Sequence, residues 1–195
     1  LIDDLIKLAF AEDIGDGDHT TLCCIPETAM GKSQLIIKED GVLAGVEMAK
    51  RIFHDFDPEL KMTVFIQDGA EVKKGDIAFV VEGKIQSLLQ TERLMLNVMQ
   101  RMSGIATTTR KYAKALEGTK THVLDTRKTT PGMRMIDSGD TFHRFPQKTL
   151  NFHCRISPER IGYSDMRNSR IINILHIKSS LQIKIDRRKI RHLRH

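Results

Sequence analysis

The segment THVLDTRKTTPGMR, residues 121–134, decides the fold class. Residues 122–124 form a short β-prone run that ends at a loop carrying Arg127 and Lys128 side by side. A helical pattern precedes this run, and a strand that follows a helix is typical of a parallel sheet or barrel. In such folds, ligands bind at the carboxyl ends of the strands. We therefore expect a parallel sheet or barrel here, with a ligand site at the carboxyl end of this strand.

The residue types in this loop favour an anionic ligand. Arg127 offers a planar fork for a carboxylate or phosphate, and Lys128 adds a compact charge. The hydroxyl groups of Thr126, Thr129 and Thr130 could complete the cradle. Adjacent basic residues in a loop are also common on solvated surfaces, so the residues alone leave both interpretations open.

The residues before this segment predict an α+β domain. Apolar residues Leu1, Leu5, Leu8 and Ala9 recur at helical spacing, which predicts that residues 1–12 form an amphipathic helix. Turn signals separate the segments that follow. We expect strands at SQLIIKE, LKMTVFI and IAFVVEGK and a short helix at VEMAKRIFHDF.

A longer helical pattern covers residues 85–117. Its broad apolar face predicts packing against a core, and we expect Ser103 and Gly104 to interrupt the helix. Arg93 and Asn97 lie four residues apart and would therefore share one side of it.

Two loops resemble known binding motifs but have plainer explanations. The run DIGDGDHTT, residues 13–21, looks like part of a calcium loop, yet the position of the bidentate Glu is out of register and tight turns explain its glycines. The run DGAEVKKGD, residues 68–76, resembles the hairpin of biotin and lipoyl carriers. It lacks their lysine recognition motif, so a structural hairpin is the better interpretation.

The cysteine content favours a reducing, intracellular compartment, which we take to be the cytoplasm. The chain has three cysteines and therefore no disulfide framework. His19 and Cys23 are too few for zinc, so we expect no metal site and interpret Cys23 and Cys24 as buried structural thiols. No apolar run approaches the roughly 18 residues of a membrane span, so we expect no membrane partner.

The net charge of +6 is concentrated in residues 137–195. Residues 1–136 contain 18 Lys and Arg against 20 Asp and Glu, whereas residues 137–195 contain 13 against 5. A basic tail can bind nucleic acid, but this one lacks interleaved stacking aromatics and any zinc or helix-turn-helix spacing. We therefore expect a disordered or aberrant tail and no specific nucleic-acid partner.

Three motifs together resemble one enzyme family. EDIGDGDHTT near the start, ERLMLNVMQRMSGIAT in the long helix and LDTRKTTPGMR after it are similar to quinolinate phosphoribosyltransferases, also called carboxylating nicotinate-nucleotide pyrophosphorylases. The motifs occur in the order and spacing of the family. The resemblance covers residues 1–136, and residues 137–195 do not match.

The resemblance implies a reaction and its participants. The family transfers phosphoribosyl from phosphoribosyl diphosphate to quinolinate and releases diphosphate and CO₂, giving nicotinate mononucleotide for NAD biosynthesis with Mg²⁺. Its members are homodimers or higher homo-oligomers with shared active sites. By the resemblance, Thr126, Arg127 and Lys128 bind substrate, and Arg93 is supplied to the partner subunit's site. The matched motifs identify neither a catalytic residue nor the magnesium ligands.

The resemblance also implies a domain division. We expect an N-terminal α/β sandwich domain over residues 1–104, the start of the barrel domain over residues 105–136, and a non-matching basic tail over residues 137–195. A complete eight-stranded barrel needs roughly 200 residues or more, so we expect the barrel to be truncated and the activity of this chain to be in question.

Three alternatives remain from the sequence. A paralogue group associated with molybdenum transport shares the fold and some motifs. A non-enzymatic carrier-like module would use the hairpin at residues 68–76. A nucleic-acid-binding protein would use the basic tail.

Overall fold

The structure is a computed structural model that describes residues 1–119 and 129–137, and the backbone of residues 182–185. The elements in chain order are α1 (Ile2–Ile14), α2 (His19–Cys24), β1 (Met30–Ile36), β2 (Gly41–Val42), α3 (Val46–Phe56), β3 (Lys61–Val64), β4 (Glu71–Val72), β5 (Ile77–Lys84), α4 (Ile85–Ala115), α5 (Arg134–Asp137) and β6 (Gln182–Ile185). The first part of the chain is therefore an α+β region that leads into a long helix, as the sequence predicted.

The main sheet is antiparallel, with strand order β3-β5-β1-β6. In the register of β1 and β5, Ser33 lies opposite Val81 and Leu35 opposite Phe79. Alternate residues of a strand share one face, so these four side chains lie on the same face of the sheet. All four are buried. β2 and β4 form a separate two-stranded sheet.

The core lies between the main sheet and the helices α3 and α4. α3 buries Ile52 and Phe53, and the Phe53 ring meets the edge of Phe79 with 6.3 Å between ring centroids. α4 contributes Met95 and Met99, both fully buried. Each of these large side chains stabilises the fold by about 1.5–3 kcal/mol when it leaves water. The methionines of α4 are therefore core residues, as predicted.

α4 is one uninterrupted helix of 31 residues, about 46 Å long, so the predicted break at Ser103 and Gly104 is wrong. The Ser103 hydroxyl donates to the Ala44 carbonyl and accepts from the Ala44 N–H, both at 3.0 Å. Ser103 and Gly104 are buried. The small side chains of Ser103 and Gly104 let the chain before α3 approach α4 closely. These two residues do not end the helix. The helix also passes through residue 104, where we placed the domain boundary.

The segment DGAEVKKGD has a structural role, consistent with the hairpin that we favoured. Asp68 accepts from the backbone N–H groups of Val46 at 2.8 Å and Glu47 at 3.2 Å, which caps the start of α3. Burial raises the pKa of the Asp68 carboxyl, although these hydrogen bonds oppose the change. At the other end of the segment, Asp76 accepts from the Lys73 N–H at 2.8 Å and closes the turn.

Two further expectations from the sequence need correction. The predicted helix is present as α1, but its predicted apolar face is only partly right, because Leu5 and the buried Ile6 pack against the core whereas Leu1 and Leu8 are 82% and 67% exposed. Cys23 and Cys24 are free and exposed, so they are not buried thiols. α2 instead packs through Thr21, which is buried.

The tail contributes one described strand, β6, which pairs with the edge of β1. This pairing gives residues 182–185 a defined backbone where we expected possible disorder. The strand predicted at residues 122–124 lies outside the described residues. Among the residues that the structure describes, no helix has the length and apolarity that a membrane span requires.

Candidate functional site

The candidate site is built around a polar row on α4. Arg93, Asn97 and Arg101 follow one another at four-residue intervals, which places them on one side of the helix over about 12 Å. Arg93 and Asn97 are exposed, and the Arg101 side chain is 33% exposed. The opposite side of the helix carries the buried methionines. Because that side packs in the core, the polar row faces away from it.

Two carboxylates of the acid-rich run DIGDGDHTT, residues 13–21, hold Arg93. The Arg93 Nε donates to Asp13 Oδ2 at 3.1 Å, and Arg93 Nη2 lies 3.9 Å from Asp18 Oδ2. Asp13 belongs to the last turn of α1, and Asp18 precedes α2. Gly17, at φ 144°, allows the sharp turn between the two helices that brings both acids to one guanidinium.

Asp18 also begins α2. Its carboxylate accepts from the Thr21 N–H at 3.1 Å and from the Thr21 hydroxyl at 2.7 Å. These two hydrogen bonds lower the pKa of the Asp18 carboxyl, and the charges of Arg93 and His19 lower it further. Asp18 is therefore an ionised, fixed partner for Arg93.

Arg101 fixes the segment after the predicted barrel strand. Its Nε donates to Asp137 Oδ1 at 2.5 Å, and its Nη2 donates to Asp137 Oδ2 and to the Thr130 hydroxyl, both at 2.8 Å. The Thr130 N–H donates to Asp137 Oδ2 at 3.3 Å. The hydrogen bond to Asp137 raises the pKa of Arg101. This two-point pairing attaches residues 129–137 to α4.

Thr126, Arg127 and Lys128 lie outside the described residues. Lys128 precedes Thr129, and Thr130 is bonded to Arg101. The Arg101 contact therefore holds the carboxyl-terminal stem of the predicted anion-binding loop against the polar row of α4. Of the four predicted substrate-binding residues, the structure describes the surroundings of Arg93 alone.

A concave feature with a volume of about 560 Å³ lies beside α2, apart from the polar row, and does not suit an anion. It is lined by residues 22–27 and Gln86, and it contains one acid, Glu27, and no cation. Gln86 stands seven residues before Arg93, about 10 Å along α4. The polar row of α4 is therefore the better candidate site.

Sequence reasoning missed Asp13, Asp18, Arg101 and Asp137. Arg101 could have been found, because it continues the four-residue spacing of Arg93 and Asn97. The acids could not, because Asp13 and Asp18 precede Arg93 by 80 and 75 residues and only the fold brings them together. We had interpreted their run as a structural turn.

Comparison with family models gives two consecutive matches. Residues 18–103 match the N-terminal domain of quinolinate phosphoribosyl transferase, and residues 105–140 match the C-terminal domain of the same family.

Curated relatives match the same region. Quinolinate phosphoribosyltransferase [decarboxylating] 1 from Nicotiana glauca is 46% identical over 134 residues, which cover 68% of this chain and 38% of the relative. A probable nicotinate-nucleotide pyrophosphorylase [carboxylating] from Synechocystis is 39% identical over 137 residues, or 70% of this chain and 46% of the relative.

Solved structures show the same relation. NadC from Streptococcus pyogenes superposes with a TM-score of 0.68 and 38% identity over 70% of this chain and 49% of that chain. The nicotinate-nucleotide pyrophosphorylase from Francisella tularensis gives a TM-score of 0.65 and 33% identity over 70% of this chain and 48% of that chain. The chain thus spans between about a third and a half of the length of these proteins.

Proposed function

Because the chain belongs to the quinolinate phosphoribosyltransferase family, we propose that it takes part in phosphoribosyl transfer to quinolinate. The reaction consumes phosphoribosyl diphosphate, removes a carboxylate as CO₂ and yields nicotinate mononucleotide and diphosphate for NAD biosynthesis. The observation that carries this proposal is the pair of consecutive domain matches over residues 18–140. The molybdenum-transport, carrier and nucleic-acid alternatives are not favoured by the relatives found.

The proposed quinolinate site consists of Arg93, Thr126, Arg127 and Lys128. Quinolinate is a dicarboxylate, and an arginine fork binds a carboxylate through two charge-assisted hydrogen bonds. Lys128 adds a charge, and Thr126 adds a hydroxyl group. The exposure of Arg93 on α4, with its side chain 56% exposed, supports its use by a ligand or by a partner subunit.

These residues would act by position and charge. Three cations gathered around a dicarboxylate fix the direction of the pyridine ring, so that its nitrogen faces the ribose carbon that it attacks. The Arg101 contact with Asp137 and Thr130 supports this arrangement, since it limits the movement of the loop stem. Orientation of this kind can supply a large part of the rate of a two-substrate reaction.

Magnesium is implied by the family, and its role here is part of the proposal. In residues 1–119 and 129–137, no three His, Cys, Asp or Glu side chains converge in a way that could hold a metal ion. The described residues therefore do not fit the ion, and we assign it no step.

We further propose that residues 105–136 begin an α/β barrel domain after a sandwich domain of residues 1–104. In this proposal, residues 137–195 do not complete the barrel, since they contain no motif that matches the family's phosphate loops or magnesium carboxylates. The proposed assembly is a homodimer or higher homo-oligomer in which Arg93 enters the partner's site.

The proposed location is the cytoplasm, on the basis of cysteine usage. Curated relatives from rice and Nicotiana tabacum carry the words chloroplastic and mitochondrial in their names, so the compartment is open to test. Cell fractionation with an antibody against residues 1–119 would check it, and recovery in an organelle fraction would contradict it.

The test of the proposed function is a titration of quinolinate into the 195-residue chain and into Arg127→Ala. The loss of a charge-assisted fork costs about 1.5–3 kcal/mol, so we expect affinity to fall at least about tenfold. Lys111→Ala is the control, because Lys111 is an exposed cation near the far end of α4. Equal affinities for the parent chain and Arg127→Ala would remove Arg127 from the site.

Turnover is a separate measurement. We expect the chain to form little nicotinate mononucleotide from quinolinate and phosphoribosyl diphosphate with Mg²⁺, because residues 137–195 lack the matching phosphate loops. Turnover close to that of a complete family member would show that these residues are a working replacement.

A further inference from the structure

The acid-rich run that we interpreted as a turn also surrounds the one predicted substrate residue that the structure describes. The first acid of the run, Asp13, accepts a hydrogen bond from Arg93 across 80 residues of sequence. Its neighbour in the run, Asp16, faces solvent with a side chain that is 92% exposed and meets His19 at 3.4 Å. The two acids therefore differ in their surroundings although they lie three residues apart.

The contacts occupy one part of the guanidinium. Asp13 takes the Nε–H at 3.1 Å, and Asp18 approaches Nη2 at 3.9 Å, beyond hydrogen-bonding distance. Within residues 1–119 and 129–137, no acceptor is bonded to Nη1 of Arg93. The side chain is thus held by its Nε–H while other N–H groups stay available for a ligand.

Asp18 is fixed by hydrogen bonds of its own, and Asp13 is placed by the helix α1 that carries it. The Asp18 side chain is 14% exposed and is bonded twice to Thr21, and the Asp13 side chain is 30% exposed in the last turn of α1. An exposed arginine on a helix has many rotamers in solution. Fixed carboxylates on two connected helices select among these rotamers.

We propose that Asp13 is a positioning residue, which holds the Nε edge of Arg93 so that the remaining N–H groups of its guanidinium meet a carboxylate of quinolinate. This inference rests on the proposed function, because it assigns Asp13 a part in the same site. Asp18 supports the arrangement from the start of α2. Neither acid contacts the substrate.

Orientation and charge predict opposite results when Asp13 is neutralised. A carboxylate beside a cation competes with an anionic ligand, so its charge alone weakens quinolinate binding, and its removal should strengthen binding. If Asp13 orients Arg93, its neutralisation should weaken binding instead, because an amide oxygen holds the Nε–H less strongly than a carboxylate does. The sign of the change therefore distinguishes positioning from a simple charge effect.

The experiment titrates quinolinate into the full chain and into Asp13→Asn, Asp16→Asn, Arg93→Ala and the double variant Asp13→Asn/Arg93→Ala. Asp16→Asn is the matched control, since it removes the same charge from the same run. We expect Asp13→Asn to bind quinolinate about three- to tenfold more weakly, as for a cation that is present but misplaced. Asp16→Asn should bind equally or slightly more tightly.

The double variant decides whether Asp13 acts through Arg93. In the Arg93→Ala background, we expect Asp13→Asn to leave the affinity for quinolinate unchanged. Tighter binding by Asp13→Asn, or the same loss in both Arg93 backgrounds, would overturn the proposal. Thermal unfolding of each variant separates a loss of binding from a loss of folding.

A spectroscopic measurement separates this inference from the proposed function. The Nε–H proton of Arg93, followed by nitrogen-15 NMR and assigned with Arg93→Lys, should exchange slowly with water in the parent chain and in Asp16→Asn. It should exchange faster in Asp13→Asn. Equal exchange rates would overturn the positioning of Arg93 by Asp13. Absence of quinolinate binding to the parent chain would contradict the proposed function, and with it the role of Asp13 in that site, even where the exchange rates differ as expected.

Discussion

Replacing Arg101 with Met tests how the predicted anion-binding loop is attached to α4. The change keeps a long apolar stem and removes the guanidinium that bonds to Asp137 twice and to Thr130 once. Asp137 is only 9% exposed at its side chain, so the substitution leaves a largely buried carboxylate without its cation. The polar attachment of residues 129–137 to the helix should then be lost, while the buried side chain of Ile136 still packs in the core.

The size of the effect follows from burial. Exposed ion pairs contribute about 0–1 kcal/mol, whereas removal of one partner from a fully buried pair costs about 3–5 kcal/mol. The Arg101 side chain is 33% exposed, which places this pair between the two cases. We therefore expect Arg101→Met to lower the free energy of unfolding by about 2 kcal/mol.

Arg110→Met is the matched control on the same helix. The Arg110 side chain is 32% exposed, but it makes one long contact, 3.4 Å to Glu71, and its Nε is buried with no hydrogen-bond partner among the described residues. We expect its loss to cost less than about 0.5 kcal/mol. The assay is urea unfolding, read from the midpoint at constant slope. Equal losses in the two variants would refute the account of the Arg101 contact.

Three further predictions concern the hydrogen bond between α4 and the end of α3, the start of α3 and the shared site. Ser87 donates to Asp57 at 2.6 Å, and this hydrogen bond is the main cause of the lowered pKa of Asp57. Because the folded pKa lies below the unfolded value of 3.8, the stabilisation is complete above 3.8 and is lost as pH falls through the folded pKa. Ser87→Ala should therefore cost about 1 kcal/mol in urea unfolding at neutral pH and much less in strong acid; a constant difference would contradict this. Gly45→Ala should lower the melting temperature more than Gly75→Ala, because both have positive φ, 103° and 99°, but a Cβ at Gly45 would lie 3.3 Å from Met99 Cα and one at Gly75 meets nothing within 4 Å; equal shifts would contradict it. In a complete family member, mixing chains that carry alanine at the equivalent of Arg93 with chains that carry it at the equivalent of Arg127 should restore activity, since one hybrid site keeps both arginines, and no recovery after confirmed subunit exchange would argue against a shared site.

Local patterns were enough to predict several elements. The helix predicted at VEMAKRIFHDF and the strand predicted at IAFVVEGK match α3 and β5 as observed. Turn residues bound both segments, Gly45 before α3 and Gly75 with Asp76 before β5. Where local signals and tertiary packing agree, the sequence pattern is sufficient.

The errors occurred where distant contacts decide. Ser103 and Gly104 are weak helix formers, but their small side chains fit a close contact with Ala44, so the helix continues. The packed face of α1 depends on partners from other elements, such as Phe56, whose ring lies 5.0 Å from that of Phe10. Spacing within α1 could not show which residues these partners would cover.

For the candidate site too, the sequence predicted a residue but not its distant contacts. Arg93 was predicted from a motif, and the structure confirms its exposure on α4 but shows its acidic partners for the first time. Its contacts with Asp13 and Asp18 depend on the turn between α1 and α2 and on the packing of both helices against α4. No period or motif within a single segment contains that information.

The central claim, a site for a dicarboxylate, is tested most directly by comparing quinolinate with nicotinate. The two compounds differ by one carboxylate, which the proposed site meets with a charge-assisted hydrogen bond. We expect isothermal titration of the 195-residue chain to show saturable binding of quinolinate and at least about tenfold weaker binding of nicotinate. Equal affinity for the two compounds, or no binding of quinolinate, would contradict the claim.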